Sequence, residues 1–216
     1  MADETIPAYL HTLCRRERAA RHAVFAPLLI HTAALAVVLG LDVAFYVRLA
    51  HETRTDSTIT GWAIVAYDPR TLLPLLPLVV YLLLWIAGRV RAWRTGVGPG
   101  HDGWGIMAIV SVVMLLLFPW GSIALSFLGA VFFLGVGLTV LGVRMREAFL
   151  WVPGVVLMVV GPLANLYTFD NLVTFLGPWP TQVILAAVTV GLAATTVAVR
   201  LRERRTLGSA AAPVEP

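Results

Sequence analysis

Asp42 stands where an ionised group is costly. It is the only formal charge in the stretch VFAPLLIHTAALAVVLGLDVAFYV, Val24–Val47. An ionised Asp at mid-bilayer costs about 2.5–3.5 kcal/mol on insertion scales, so such acids face a bundle interior and serve an ion, a proton, a solute or a neighbouring helix. Arg48 lies six residues on, close to 240° round a helix at about 100° per residue, which makes it a poor partner. Arg70, at the start of the next apolar run, is the better one. His31 precedes Asp42 by eleven residues, which returns it to nearly the same face about 16 Å deeper. Two titratable groups so placed can form a proton or cation path, and a neutral His31 bonded to a neighbouring helix is the plainer alternative. Asn165 follows Gly161-Pro162, where a broken helix would free carbonyls into a cavity. Asp170 lies in the connection YTFDNLVTFLGPWP. Asp42, Arg70, Asn165, Asp170 and His31 are therefore the candidate lining of a polar cavity. The rival reading is a structural Asp42–Arg70 tie.

The residues that are missing exclude several chemistries. All 16 basic residues are Arg. Without Lys there is no Schiff base and no GxxxxGK[ST] phosphate loop. Cys14 is the only cysteine, which rules out an internal disulfide or a thiolate metal site within one chain. His11, His22, His51 and His101 fall outside the apolar runs, so no facing pair of membrane histidines could ligate haem. HExxH and GxSxG do not occur. The sequence assigns no catalytic residue, cofactor or metal ligand, and whether the chain is an enzyme is left open. The pI near 9.8 does not indicate nucleic acid binding, because the arginines sit at the ends of apolar runs, where topology explains them.

These residues must be held by membrane helices. The chain has 216 residues, 59% hydrophobic and 13% charged, against about a quarter charged in a soluble domain. A barrel would need short alternating segments, and these runs are continuous. The expected fold is all-α: a bundle of six transmembrane helices over residues 23–200. A cytoplasmic segment, 1–22, precedes it and carries a candidate amphipathic surface helix at 8–22. A basic, disordered tail, 201–216, follows it. Val24–Val47 is too long for a signal-peptide core and lacks an A-x-A site, so it is read as the retained first span.

The second span is expected from Pro69, capped by Asp68, to Arg89, with Pro77 deep enough to kink it. Residues 103–143 carry no charge and are too many for one span. Pro119–Ser122 divides them into a short third helix, Trp104–Phe118, and a fourth, Ser122–Val143. A fifth covers Ala148–Thr168, broken at Gly161-Pro162, and a sixth Thr181–Val199. Trp62 and Tyr67 are expected interfacial anchors. Thirteen arginines then fall on the side of the termini and three on the other, which places both termini in the cytoplasm of a multi-pass cell-membrane protein. Ser122/Ser126/Ala130 and Ala187/Gly191/Thr195 form small-xxx-small stripes that serve packing in the bundle or a homodimer face.

The expected function is a permease-type transporter, or the membrane subunit of a transport system, with an outward-facing polar cavity. Its partner would be the lipid bilayer. Six spans, a surface helix and an external segment before the last span are similar in outline to ABC-2-type permeases. That likeness of layout implies an ATPase, or another membrane subunit, supplied by a separate chain. The alternatives are an integral-membrane enzyme acting on a lipid or isoprenoid, and a non-catalytic accessory or sensor subunit.

Overall fold

The computed structural model describes residues 24–55, 69–95, 103–117, 120–177 and 179–211, without side chains at 52–55, 69–71, 95, 122 and 206–211. Among them there is helix and turn but no strand. The helices are α1 (Phe25–Thr55), α2 (Leu76–Thr95), α3 (Trp104–Leu116), α4 (Trp120–Met145), α5 (Ala148–Asn165), α6 (Thr168–Leu172) and α7 (Pro180–Ala211), with 3₁₀ turns at Pro69–Leu75 and Thr174–Leu176. The expected surface helix at 8–22, the Asp68 cap and the anchors Trp62 and Tyr67 lie outside the described residues.

Among the described residues, five helices are long and apolar enough to cross a membrane: Phe25–His51, Leu72–Arg94, Ile123–Met145, Ala148–Asn165 and Pro180–Arg205. Their outer faces are apolar as well. Ile106, Phe127, Val159 and Val190 are all more than half exposed. Water disfavours so much exposed hydrocarbon and lipid does not, so the helices suggest a multi-pass membrane protein. The 13 residues of α3 rise about 20 Å, short of a hydrocarbon core of about 30 Å.

α1 and α7 run antiparallel along their lengths. Glu203 Oε1 accepts from the Val24 and Phe25 amides at 2.9 and 3.2 Å, the Thr32 and Thr196 hydroxyls meet at 3.1 Å, and Gln182 reaches Asp42. A helix start leaves amides without intrahelical partners, and here the carboxylate that meets them comes from the far end of the chain. Replacing Glu203 with Ala is expected to cost about 0.5–2 kcal/mol, the usual range for losing a cap. Glu147→Ala is the control, since Glu147 precedes α5 without a side-chain cap bond. Thermal unfolding in one detergent reads both.

α4 and α5 form the tightest pair. Only Arg146 and Glu147 join them, and Arg146 takes a left-handed φ of 56° to reverse the chain. Gly135 on α4 meets Gly154 on α5, while Gly142 lies against the Trp151 backbone and Gly161 against that of Phe132. A Cβ on Gly135 would lie 2.6 Å from the Gly154 carbonyl oxygen, and one on Gly161 2.5 Å from the Phe132 nitrogen. Without side chains between them the backbones approach closely, which lets dispersion drive association where lipid removes the hydrophobic term. Tyr81 on α2 lies over Gly137 of α4 and donates its hydroxyl to the Phe133 carbonyl. Hydroxyls in the apolar stretches return to their own helix: Thr32 to Leu28, Ser111 to Met107, Thr139 to Gly135 and Thr196 to Leu192.

Several expectations change here. α7 continues twelve residues past Val199, to Ala211, through the segment expected to be a disordered tail. Arginines can leave an apolar layer while the helix they stand on goes on. Pro77 falls in the first turn of α2, where a missing amide costs little, and the switch from 3₁₀ to α geometry precedes it. α5 is continuous through Gly161-Pro162 and ends at Asn165. Gly161 admits α4, and Pro162 sits too near the helix end to split it. The break expected there lies instead in α4, at Gly129, with φ 74° and ψ 160°. In the Ala187/Gly191/Thr195 stripe, Ala187 and Gly191 are exposed, and a Cβ on Gly191 would meet nothing within 4 Å. That stripe faces away from the bundle.

Candidate functional site

The two ends of the bundle differ chemically. Arg94, Arg144, Arg146, Arg202, Arg204 and Arg205 lie at the end where α1 begins and α7 finishes. At the opposite end, α1 passes the starts of α2 and α7 and the finish of α5. There Asp42, 8% exposed, accepts from Gln182 Nε2 at 2.8 Å across the α1–α7 interface. Tyr46 stands one turn above Asp42 on α1. Gln182 therefore ties the α1 carboxylate to the first turn of α7.

The start of α7 is held from outside. Asp170, on the short helix α6, takes the Thr181 amide at 3.2 Å and its hydroxyl at 2.8 Å through the same Oδ1. A carboxylate there meets both the free amides and the positive end of the helix. Pro180 supplies the fixed φ suited to a first helical position. Tyr46 packs against Tyr167 and Trp179 at 6.4 and 5.8 Å between ring centroids. Tyr167 takes a left-handed φ of 53° to turn the chain from α5 into α6.

Two adjoining hollows open beside this network. The smaller, of about 60 Å³, is lined by Asp42, Thr181, Asn165, Tyr167, Gly129 and Gly161 among others. The larger, of about 410 Å³, shares Leu73, Gly129, Ala130, Asn165 and Tyr167 with it and adds Leu115, Leu125 and Ser126. The break at Gly129 thus borders both. Asn165 Nδ2 donates to the Ser126 carbonyl, three residues before the break. Irregular backbone at membrane depth is tolerated where it is buried or lines a cavity, and this break lines one. A solute entering would meet a carboxylate, an amide and hydroxyls against apolar walls, a set suited to binding a polar molecule by hydrogen bonds and charge.

Of the residues singled out from the sequence, Asp42 and Asn165 line one hollow, and Asp170 braces its rim through Thr181, which also lines it. Arg70 has its backbone in the 3₁₀ turn before α2, but its side chain lies outside the described residues, as does the proposed tie to Asp42. Ser126 and Ala130 of the other small-residue stripe line the larger hollow; the Ser122 side chain is not described.

His31 lines neither hollow. It is fully buried toward the other end of the bundle, and its ring lies 6.5 Å from that of Tyr81 and 6.0 Å from that of Trp104. Nδ1 donates to the Pro27 carbonyl at 2.8 Å, which leaves Nε2 as the bare nitrogen, with no hydrogen-bond partner among the described residues. Sharing a helix face with Asp42 does not join the two, because α1 meets α2 and α3 around His31 and α7 at Asp42. No cluster of three or more His, Cys, Asp or Glu suited to a metal occurs among the described residues.

Sequence reasoning missed Gln182, Thr181, Tyr46 and Gly129. A signal existed for the first two: a Thr-Gln pair directly after Pro180 marks polar side chains in the first turn of an apolar helix. Gly129, between Leu128 and Ala130 in an apolar run, carries no local sign of a break. Set against known protein families, curated proteins and solved structures, the chain shows no match to any of them.

Proposed function

We propose that this chain is a permease-type transporter, or the membrane subunit of a transport system, that takes a small polar solute into the hollow beside Asp42. In this reading α3 inserts as a short sixth span, both termini are cytoplasmic, the protein resides in the cell membrane and the hollow opens outward. The arginines at one end of the bundle support that orientation by the positive-inside rule. The observation that carries the reading is the placing of a nearly buried carboxylate in the wall of a hollow at the opposite end. A carboxylate needed only as a tie could be enclosed entirely. An ATPase or other subunit, if the system uses one, would be a separate chain.

The test begins with purified protein and a panel of inorganic cations, amino acids, sugars, polyols and organic ammonium compounds. At least one should raise the melting temperature of the wild type and leave Asp42→Asn unmoved. That solute should then enter proteoliposomes containing the wild type at least tenfold faster than those containing the variant. No shift with any compound would overturn the transport reading. Equal shifts in both proteins would reduce Asp42 to a structural tie, as in an accessory subunit.

A further inference from the structure

We propose that Gly129 is a hinge and that the Asn165–Ser126 hydrogen bond latches the segment beyond it, Trp120–Leu128, as a movable wall of the larger hollow. This rests on the outward-facing hollow proposed above and adds how access to it is controlled. Gly129 has φ 74° and ψ 160°, a region essentially closed to residues with a Cβ. It divides α4 into two unequally held parts. In the inner part, Leu134, Leu138 and Leu141 are buried, and Gly135 and Gly142 lie against the backbone of α5. In the outer part, Trp120, Ile123 and Phe127 are exposed, and the one buried residue among those whose side chains are described is Gly121, which lies against the Met114 carbonyl of α3, so a swing of this segment carries or slides over the end of α3.

The latch is chemically suited to reversal. A helical carbonyl ordinarily accepts from the amide four residues on, and for Ser126 that is Ala130, just past the break. Asn165 places its amide at this carbonyl from the end of α5. The carbonyl thus has two competing donors, the side chain across the interface and the amide of a straightened α4, so either state of the hinge can satisfy it. The same asparagine fills the space beside Gly129, where a Cβ would lie 3.0 Å from the Asn165 Cβ and Cγ. Leu125 and Ser126 of the segment face Leu73, Leu115 and Tyr167 across the hollow. Swinging about Gly129 a segment of nine residues, about 13 Å long, would therefore change the width of the hollow directly.

Cysteine accessibility tests this without a known substrate. In a Cys14→Ser background, Ala130→Cys places a thiol in the wall of both hollows, to be labelled from outside by a membrane-impermeant sulfonated maleimide. Labelling should proceed, and adding Asn165→Leu, which removes the donor at similar volume, should speed it about tenfold. Tenfold corresponds to about 1.4 kcal/mol, the scale of one net hydrogen bond. Amide exchange of residues 120–128 should accelerate in the same variant while that of 130–145 does not, which separates unlatching from general unfolding. Labelling with an unchanged or slower rate in Asn165→Leu overturns the latch and leaves the hollow standing. No labelling in protein whose 130–145 exchange is intact overturns the outward-facing hollow itself.

Discussion

Gly154→Ala is expected to destabilise the protein by about 1–3 kcal/mol, the usual cost of forcing extra volume into a packed interface. The added methyl would lie 2.6 Å from the Thr139 backbone nitrogen and 2.9 Å from the Gly135 carbonyl oxygen. Neither is a flexible side-chain tip. Both belong to a helix backbone, so relief requires α4 and α5 to move apart, and the close approach at Gly135, Gly142 and Gly161 is lost with them. Gly191→Ala is the matched control, because the same methyl on α7 meets nothing within 4 Å. There the gain in helix propensity, at most about 1 kcal/mol, is all that remains. Melting in one detergent should show a large fall for the first and none for the second. Equal behaviour would mean that the glycine faces do not hold the hairpin.

The second large effect is expected at the α1–α7 crossing. Asp42→Leu removes the acceptor of the Gln182 amide, and Gln182→Leu removes the donor to Asp42; both side chains are buried. Each single change should cost about 1–3 kcal/mol, because a buried polar group loses a hydrogen bond it made in the folded state. The double change should cost less than the sum of the two, with a coupling of about 0.5–3 kcal/mol, because neither half of the pair is then left behind. Strict additivity, measured by thermal or denaturant unfolding, would show that the 2.8 Å bond carries no energy and that the two residues act separately.

What the sequence makes legible is set by what local physics decides. The start of α1 is expected at Val24 and found at Phe25, and α5 begins at Ala148 as expected, because apolar runs and their flanking charges are read residue by residue. Asp42 stands out because a lone acid in such a run is costly wherever the neighbours lie. Its described partner does not stand out, since Gln182 is 140 residues away and meets it only once α1 and α7 pair. From sequence the helix break is expected at Gly161-Pro162, because Pro is the strongest local signal. Near the end of α5, however, Pro162 removes little, whereas α4 breaks at Gly129, beside Asn165 of another helix, a proximity that no window of sequence records. His31 shows the same limit: its depth could be reckoned from spacing, but not which helices would surround it.

The pairing of the first helix with the last also bears on how the protein is made. Glu203 closes onto Val24 across 179 residues, and Gln182 onto Asp42 across 140. At a synthesis rate of about 5–20 residues per second, those 140 residues take roughly 7–28 s to emerge from the ribosome. During that interval α1 has left the exit tunnel with its aspartate before the glutamine that will hold it exists. Until α7 arrives Asp42 lacks the glutamine that meets it in the finished fold, so α1 is made early and reaches its final surroundings late.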